Sequence, residues 1–148
     1  MFFDNPTKEF HARELSRKTG LSIFSVLEAI KKLSKEGLIS VHKKGNMKIV
    51  KASNSLAFIR KKRVRNLEKL YDSGLIEYLN EAYDKPEAII LFGSYSRGDD
   101  IENSDIDIVI ITKEHKDHKN LEKLEKSLSR KISIHEIDIK KVSKEFHN

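Results

Sequence analysis

Two short apolar runs, AIILF at 88–92 and IDIVIIT at 106–112, are separated by the polar, glycine-bearing stretch GSYSRGDDIENS, and the second run is entered through two aspartates, Asp105 and Asp107. Continuous apolar runs of this length, bounded by turn residues, read as strands buried in a sheet, AIILF as a central one. A third run, KISIHEI at 131–137, follows a charged segment that reads as a helix over about 118–129. Strand, loop, strand, helix, strand predicts a small mixed sheet with helices packed against it. Burial gives a strand no reason to begin with two carboxylates. Side chains at i and i+2 share one strand face, about 6.6 Å apart along it, so Asp105 and Asp107 can converge on one or two hard divalent cations, Mg²⁺ or Mn²⁺. On packing grounds alone the alternative is a plain loop with two exposed strand-end carboxylates.

Charge divides the chain. Residues 1–65 hold 16 Lys+Arg against 5 Asp+Glu, whereas residues 66–148 hold 13 against 18. Two modules follow, one suited to a polyanion and one to cations. With 148 residues there is room for two small cores. Zero cysteines exclude disulfides and thiolate metal sites. No apolar run is long enough to span a bilayer and the first residues are not a signal peptide, so a cytoplasmic protein without membrane contact is expected.

In the basic half, HARELSRKTG at 11–20 reads as a short helix stopped by Gly20. Ser22 can cap a second helix whose buried face would be Ile23, Val26, Leu27, Ile30 and Leu33, ending at Gly37. LISVH and MKIVKA then read as strands joined through Lys43-Lys44-Gly45-Asn46. This pattern, ARELSRKTGLS…VLEAIKKLSKEGLI, resembles the winged helix-turn-helix family over about residues 1–52. The resemblance implies double-stranded DNA as a partner, with Ser22, Ser25, Glu28 and Lys32 facing base edges and Lys43, Lys44 and Lys48 on phosphates. It is also compatible with a homodimer reading paired half-sites. A protein-interaction module with a solvated lysine face is the alternative. The family's usual first helix has only MFFDN before Pro6 to form it, so it is expected to be stunted or supplied otherwise. Residues 54–80 read as a helical connector broken near Asp72-Ser73-Gly74, with Arg60-Lys61-Lys62-Arg63 and Arg65 either extending the basic footprint or lying on a solvated face.

In the second half, Gly93-Ser94-Tyr95-Ser96-Arg97-Gly98, five further residues, and Ser104-Asp105-Ile106-Asp107 resemble the signature of the polymerase-β-type nucleotidyltransferase superfamily in its minimal form, over roughly residues 66–140. The expected whole is α+β: a winged helix-turn-helix domain at 1–53, the connector at 54–80, and a minimal nucleotidyltransferase domain at 81–148, incomplete at its C-terminal end. The resemblance implies transfer of a nucleoside monophosphate from ATP or another nucleoside triphosphate to a hydroxyl of a protein or small molecule, with Asp105 and Asp107 as the catalytic, metal-holding pair. A small helical protein is an expected partner of minimal members. Gly93 would let the backbone approach phosphates, Ser94 would add a hydroxyl donor, and Arg97 would either hold the loop or pair with phosphate.

Family members add a third carboxylate from the following strand. In KISIHEID that position reads as Ser133, which leaves Glu136 as a candidate metal ligand displaced by three residues, with Asp138 beyond it. Catalysis is therefore expected to be impaired, rerouted through Glu136, or absent. In the last case the chain would be a DNA-binding regulator with a degenerate nucleotide-binding domain. His135 shares a face with Ser133 by alternation, while His115 and His118 read as solvated.

Overall fold

A computed structural model describes residues 1–45, 47–113 and 121–138. They belong to two compact units, residues 1–62 and 63–148.

In the first unit, β1 (Phe10–His11) leads directly into α1 (Ala12–Thr19), which stops at Gly20 in the left-handed region. Ser22 caps α2 (Ile23–Lys35) by accepting from the Ser25 amide at 3.1 Å, replacing one unsatisfied first-turn partner. β2 (Ile39–Lys44) and β3 (Met47–Ala52) form the expected hairpin, and β1 adds to the far side of β3 in an antiparallel sheet ordered β1-β3-β2. The core is Phe10, Leu15, Val26, Ile30, Ile39 and Val50. The described residues before β1 hold no helix. Phe2 packs edge-on against Phe10 and Phe3 lies against Phe58, so two aromatic rings from this segment pack onto the core.

The expected inward face of α2 needs correction. Val26 and Ile30 are buried and Leu33 is half-buried, but Ile23 and Leu27 are 44% and 38% exposed. Val26, Ile30 and Leu33 sit at i, i+4 and i+7 and contact the core. Ile23 and Leu27 lie one residue-step round the helix, beside the still more exposed Phe24.

α3 (Leu56–Asp72) and α4 (Leu75–Ala82) are separated by Gly74 at φ +74°, where the sequence places a break. The boundary between the units falls within α3. In the second unit, β4 (Ala88–Phe92) runs antiparallel to the central β5 (Ile106–Ile111), and β6 (Ile132–Ile137) runs parallel to it. α5 (Gly93–Arg97) follows β4 immediately, and α6 (Leu121–Leu128) precedes β6. Ile106, Ile108 and Ile110 point into a core shared with Leu70, Leu75, Leu79, Tyr83, Tyr95, Leu128 and Ile132. The expectation of a buried central strand fails for AIILF: among the described residues β4 is an edge strand, and Ile90 and Phe92 are exposed. A continuous apolar run does not by itself tell an edge from a centre.

Candidate active site

Register builds the site. Across the sheet, Phe92, Asp107 and Ser133 form one row. Ile106 and Ile108 are buried while Asp107 between them is half-buried, so alternation turns its carboxylate to the opposite face. Asp105, the residue before β5, shares that parity and is exposed. Neither aspartate has a hydrogen-bond or ion-pair partner among the described residues.

Gly93 is the point of closest approach. Its φ is +72°, and a Cβ there would overlap Asp107 Oδ2 and lie 3.0 Å from Asp107 Cγ. No other residue type permits both that conformation and that approach. α5 is held from behind by the buried Tyr95 ring, and Ser96 Oγ donates to the Gly93 carbonyl at 2.9 Å. Ser94 is half-buried beside Gly93. α5 ends at Gly98, φ +81°, whose amide donates to the Ser94 carbonyl. Arg97 is exposed and its Nε donates to Asp99 Oδ2 at 3.1 Å, so of its two expected roles this contact supports holding the loop.

Ser133 lies beside Asp107, where the sequence register puts it. Glu136 is not brought to the aspartates. It pairs with Ile110, a core-facing residue, and accepts a 2.6 Å hydrogen bond from the Tyr83 hydroxyl on the opposite side of the sheet. Burial, reinforced by that carboxylate, raises the Tyr83 hydroxyl well above the ordinary tyrosine range. His135 does share the Ser133 side, with Nε2 3.2 Å from Ser133 Oγ and its ring 5.5 Å from that of Phe92. His115 and His118 lie outside the described residues.

Two carboxylates free of other partners on one face suit Mg²⁺ or Mn²⁺, because Mg²⁺ commonly takes one or two protein carboxylates together with substrate phosphates and retained waters. Among the described residues no cluster of three His or acidic side chains forms a closed metal cage. An open cleft of about 630 Å³ adjoins Asp105, between Asn103 and Ser104 on one side and Glu122 and Lys126 of α6 on the other.

One group of functional candidates is absent from the sequence reading. Asp100 and Asn66 are 2% and 5% exposed, and Asn66 Nδ2 donates to Asp100 Oδ1 at 2.8 Å and to the Tyr95 carbonyl at 2.9 Å. Arg130 Nη2 meets Asp100 Oδ2 at 3.1 Å, while Nη1 donates to the Ile101 and Ser104 carbonyls. The only sequence signal was Asn66 standing four residues before the core residue Leu70 on α3, a polar residue on an inward line.

The polymerase beta nucleotidyltransferase family matches residues 74–147, half of the chain. The chain belongs to that family. β4, α5, β5, α6 and β6 all fall inside the matched segment. Over 47 residues the chain is 49% identical to a Methanocaldococcus jannaschii protein named "Putative protein adenylyltransferase MJ0141". That alignment covers 32% of this chain and 48% of the relative, so it spans about half the relative's length. No solved structure matches the chain. Among the described residues no helix is long and apolar enough to cross a membrane.

The DNA-facing candidates are placed separately. Ser22 at the cap of α2, and Ser25, Glu28 and Lys32 on it, are exposed, and the Ser22 and Ser25 hydroxyls share a 2.9 Å hydrogen bond. Lys43 and Lys44 on β2 and Lys48 on β3 are exposed, and Lys43 stands directly opposite Lys48.

Proposed function

We propose that this nucleotidyltransferase-family protein transfers a nucleoside monophosphate from a nucleoside triphosphate to a hydroxyl of a protein or small molecule. The carrying observation is the Gly93–Asp107 approach, with Asp105 on the same parity. A bound divalent cation would neutralise phosphate charge and polarise the α-phosphorus. Asp105 and Asp107 would hold it, the Gly93 backbone would lie against the phosphates, and Ser94 would offer its hydroxyl. Transfer forms a bond from the acceptor oxygen to the α-phosphorus, breaks the α–β phosphoanhydride bond to release pyrophosphate, and passes the acceptor hydroxyl's proton to solvent. The relative's name makes ATP the first triphosphate to test. The open cleft beside Asp105 is roomy enough for an acceptor side chain. The test is incorporation from α-labelled ATP with Mg²⁺, alone and with small helical proteins offered as acceptors. Label and pyrophosphate that vanish in Asp105→Asn/Asp107→Asn support the reading, and neither product with any triphosphate or acceptor refutes it.

A second reading rests on Ser133 beside Asp107 and on Glu136 engaged across the sheet. In it the second unit binds nucleotide without transferring it, and residues 1–53 act as a winged helix-turn-helix that binds DNA as a regulator. Lys43 opposite Lys48 supports a polyanion partner, since like charges directly opposed on a hairpin weaken it and folding does not call for them. Steeply salt-dependent DNA binding that survives the double aspartate substitution, without label transfer, would favour this reading.

A further inference from the structure

We infer that Asn66, Asp100 and Arg130 are positioning residues that fix Asp105 relative to Gly93, so that the metal-holding geometry of the site depends on a buried ion pair outside it. The inference rests on the transferase reading of Asp105 and Asp107.

Residues 98–105 join the end of α5 to the start of β5, and two ends must be held for the two halves of the site to keep their spacing. At the first end, the amide of Asn66 bonds both the Tyr95 carbonyl within α5 and the Asp100 carboxylate. At the second, the Arg130 guanidinium spans from Asp100 to the carbonyls of Ile101 and Ser104, the latter belonging to the residue immediately before Asp105. The loop closes on itself between these anchors, with the Ile101 amide donating to Ser104 Oγ at 2.9 Å and the Ser104 amide to the Ile101 carbonyl at 3.1 Å. Arg130 also precedes β6 by two residues, and the carbonyl of Lys131 accepts from the Ile106 amide at 2.8 Å. One guanidinium therefore ties the loop to the strand that supplies Ser133.

The ion pair is nearly sealed from water, with side-chain exposures of 8% for Arg130 and 1% for Asp100. A surface pair would be weak and mobile, whereas a buried, multiply bonded one has a single geometry. The planar five-donor fork of arginine reaches the carboxylate from one nitrogen and the two carbonyls from another, in one rigid plane. A lysine ammonium keeps the charge but is a compact point donor. This separates positioning from charge balance in one substitution.

The test is Arg130→Lys in the full chain, with Asp100→Asn as the second variant, titrated with Mn²⁺ and with Mn²⁺ plus ATP while free Mn²⁺ is followed by electron paramagnetic resonance. Partners outside a metal's own ligands typically alter metal affinity by about 10–100-fold. We expect Arg130→Lys to bind Mn²⁺ at least about 10-fold more weakly while its folding midpoint stays near that of the wild type, and the Ile101 and Ser104 amides to exchange faster. A folded Arg130→Lys with wild-type Mn²⁺ affinity overturns the inference, and so does unchanged exchange at those amides. If the wild type itself shows no aspartate-dependent Mn²⁺ binding, the transferase reading fails, and amide exchange alone then decides whether the fork holds the loop.

Discussion

The two units use their charged residues in opposite ways. In residues 63–148 a few acidic and polar groups are locked by main-chain register: Asp107 sits between Phe92 and Ser133, against Gly93. In residues 1–62 the candidate residues are exposed side chains on α2, its cap and the β2–β3 hairpin, set among the described residues by no partner beyond a serine pair and the hairpin register. A register-built site must fail when one contact is altered, while a charge-built surface should weaken by increments. That contrast ranks the expected effects.

The largest is Asp100→Ala, which leaves Arg130 charged and nearly buried without its carboxylate. Removing one member of a buried pair costs about 3–5 kcal/mol. Chemical denaturation read by amide exchange should show the loss in residues 63–138. An equal loss at Phe10, Val26 and Val50 would break the division between the units. Next is Gly93→Ala. The added Cβ must displace the Asp107 carboxylate, and a misplacement of that order costs about 100-fold in turnover. Label transfer at saturating ATP measures it, and near-normal turnover would mean that the close approach has no catalytic role.

Tyr83→Phe is intermediate. It removes the donor to Glu136 and should cost about 1–3 kcal/mol. It also changes the pH response in a defined direction. The folded hydroxyl titrates above the unfolded one, which lies near pH 10. The folded state thus holds its proton more tightly, and this contribution is complete below about pH 10 and is lost as pH rises further. Urea midpoints from pH 8 to 11 should fall at the alkaline end for the wild type, with that component absent in Tyr83→Phe. The smallest effect is Lys48→Ala. Relief of the Lys43–Lys48 opposition should stabilise the hairpin by about 0.2–1 kcal/mol. DNA affinity should fall, with the salt slope reduced by about 1, if Lys48 meets a phosphate. An unchanged slope would remove Lys48 from the proposed DNA surface.

The same contrast governs what the sequence reveals. The pattern from Gly93 to Asp107 is legible because each residue type answers a local demand: left-handed φ at Gly93 and Gly98, and matched parity at Asp105 and Asp107. Ser133 is legible by aligning apolar residues, since parallel register follows side-chain alternation. Periodicity fails where the answer depends on a neighbour. It places Ile23 and Leu27 inward on α2 and AIILF in the middle of a sheet, yet a helix face is buried only if something covers it, and a strand is central only if both edges are paired. Asn66, Asp100 and Arg130 are 30 or more residues apart at each step, and no local spacing connects them. Only the tertiary fold makes them one group.

The most direct test of a working nucleotide site is calorimetric titration of the full chain with ATP, with and without Mg²⁺, beside Asp105→Asn/Asp107→Asn. Binding that requires both the cation and the aspartates is the expected result. Binding of equal strength without Mg²⁺ or in the double variant, or no binding of any nucleoside triphosphate, would contradict it.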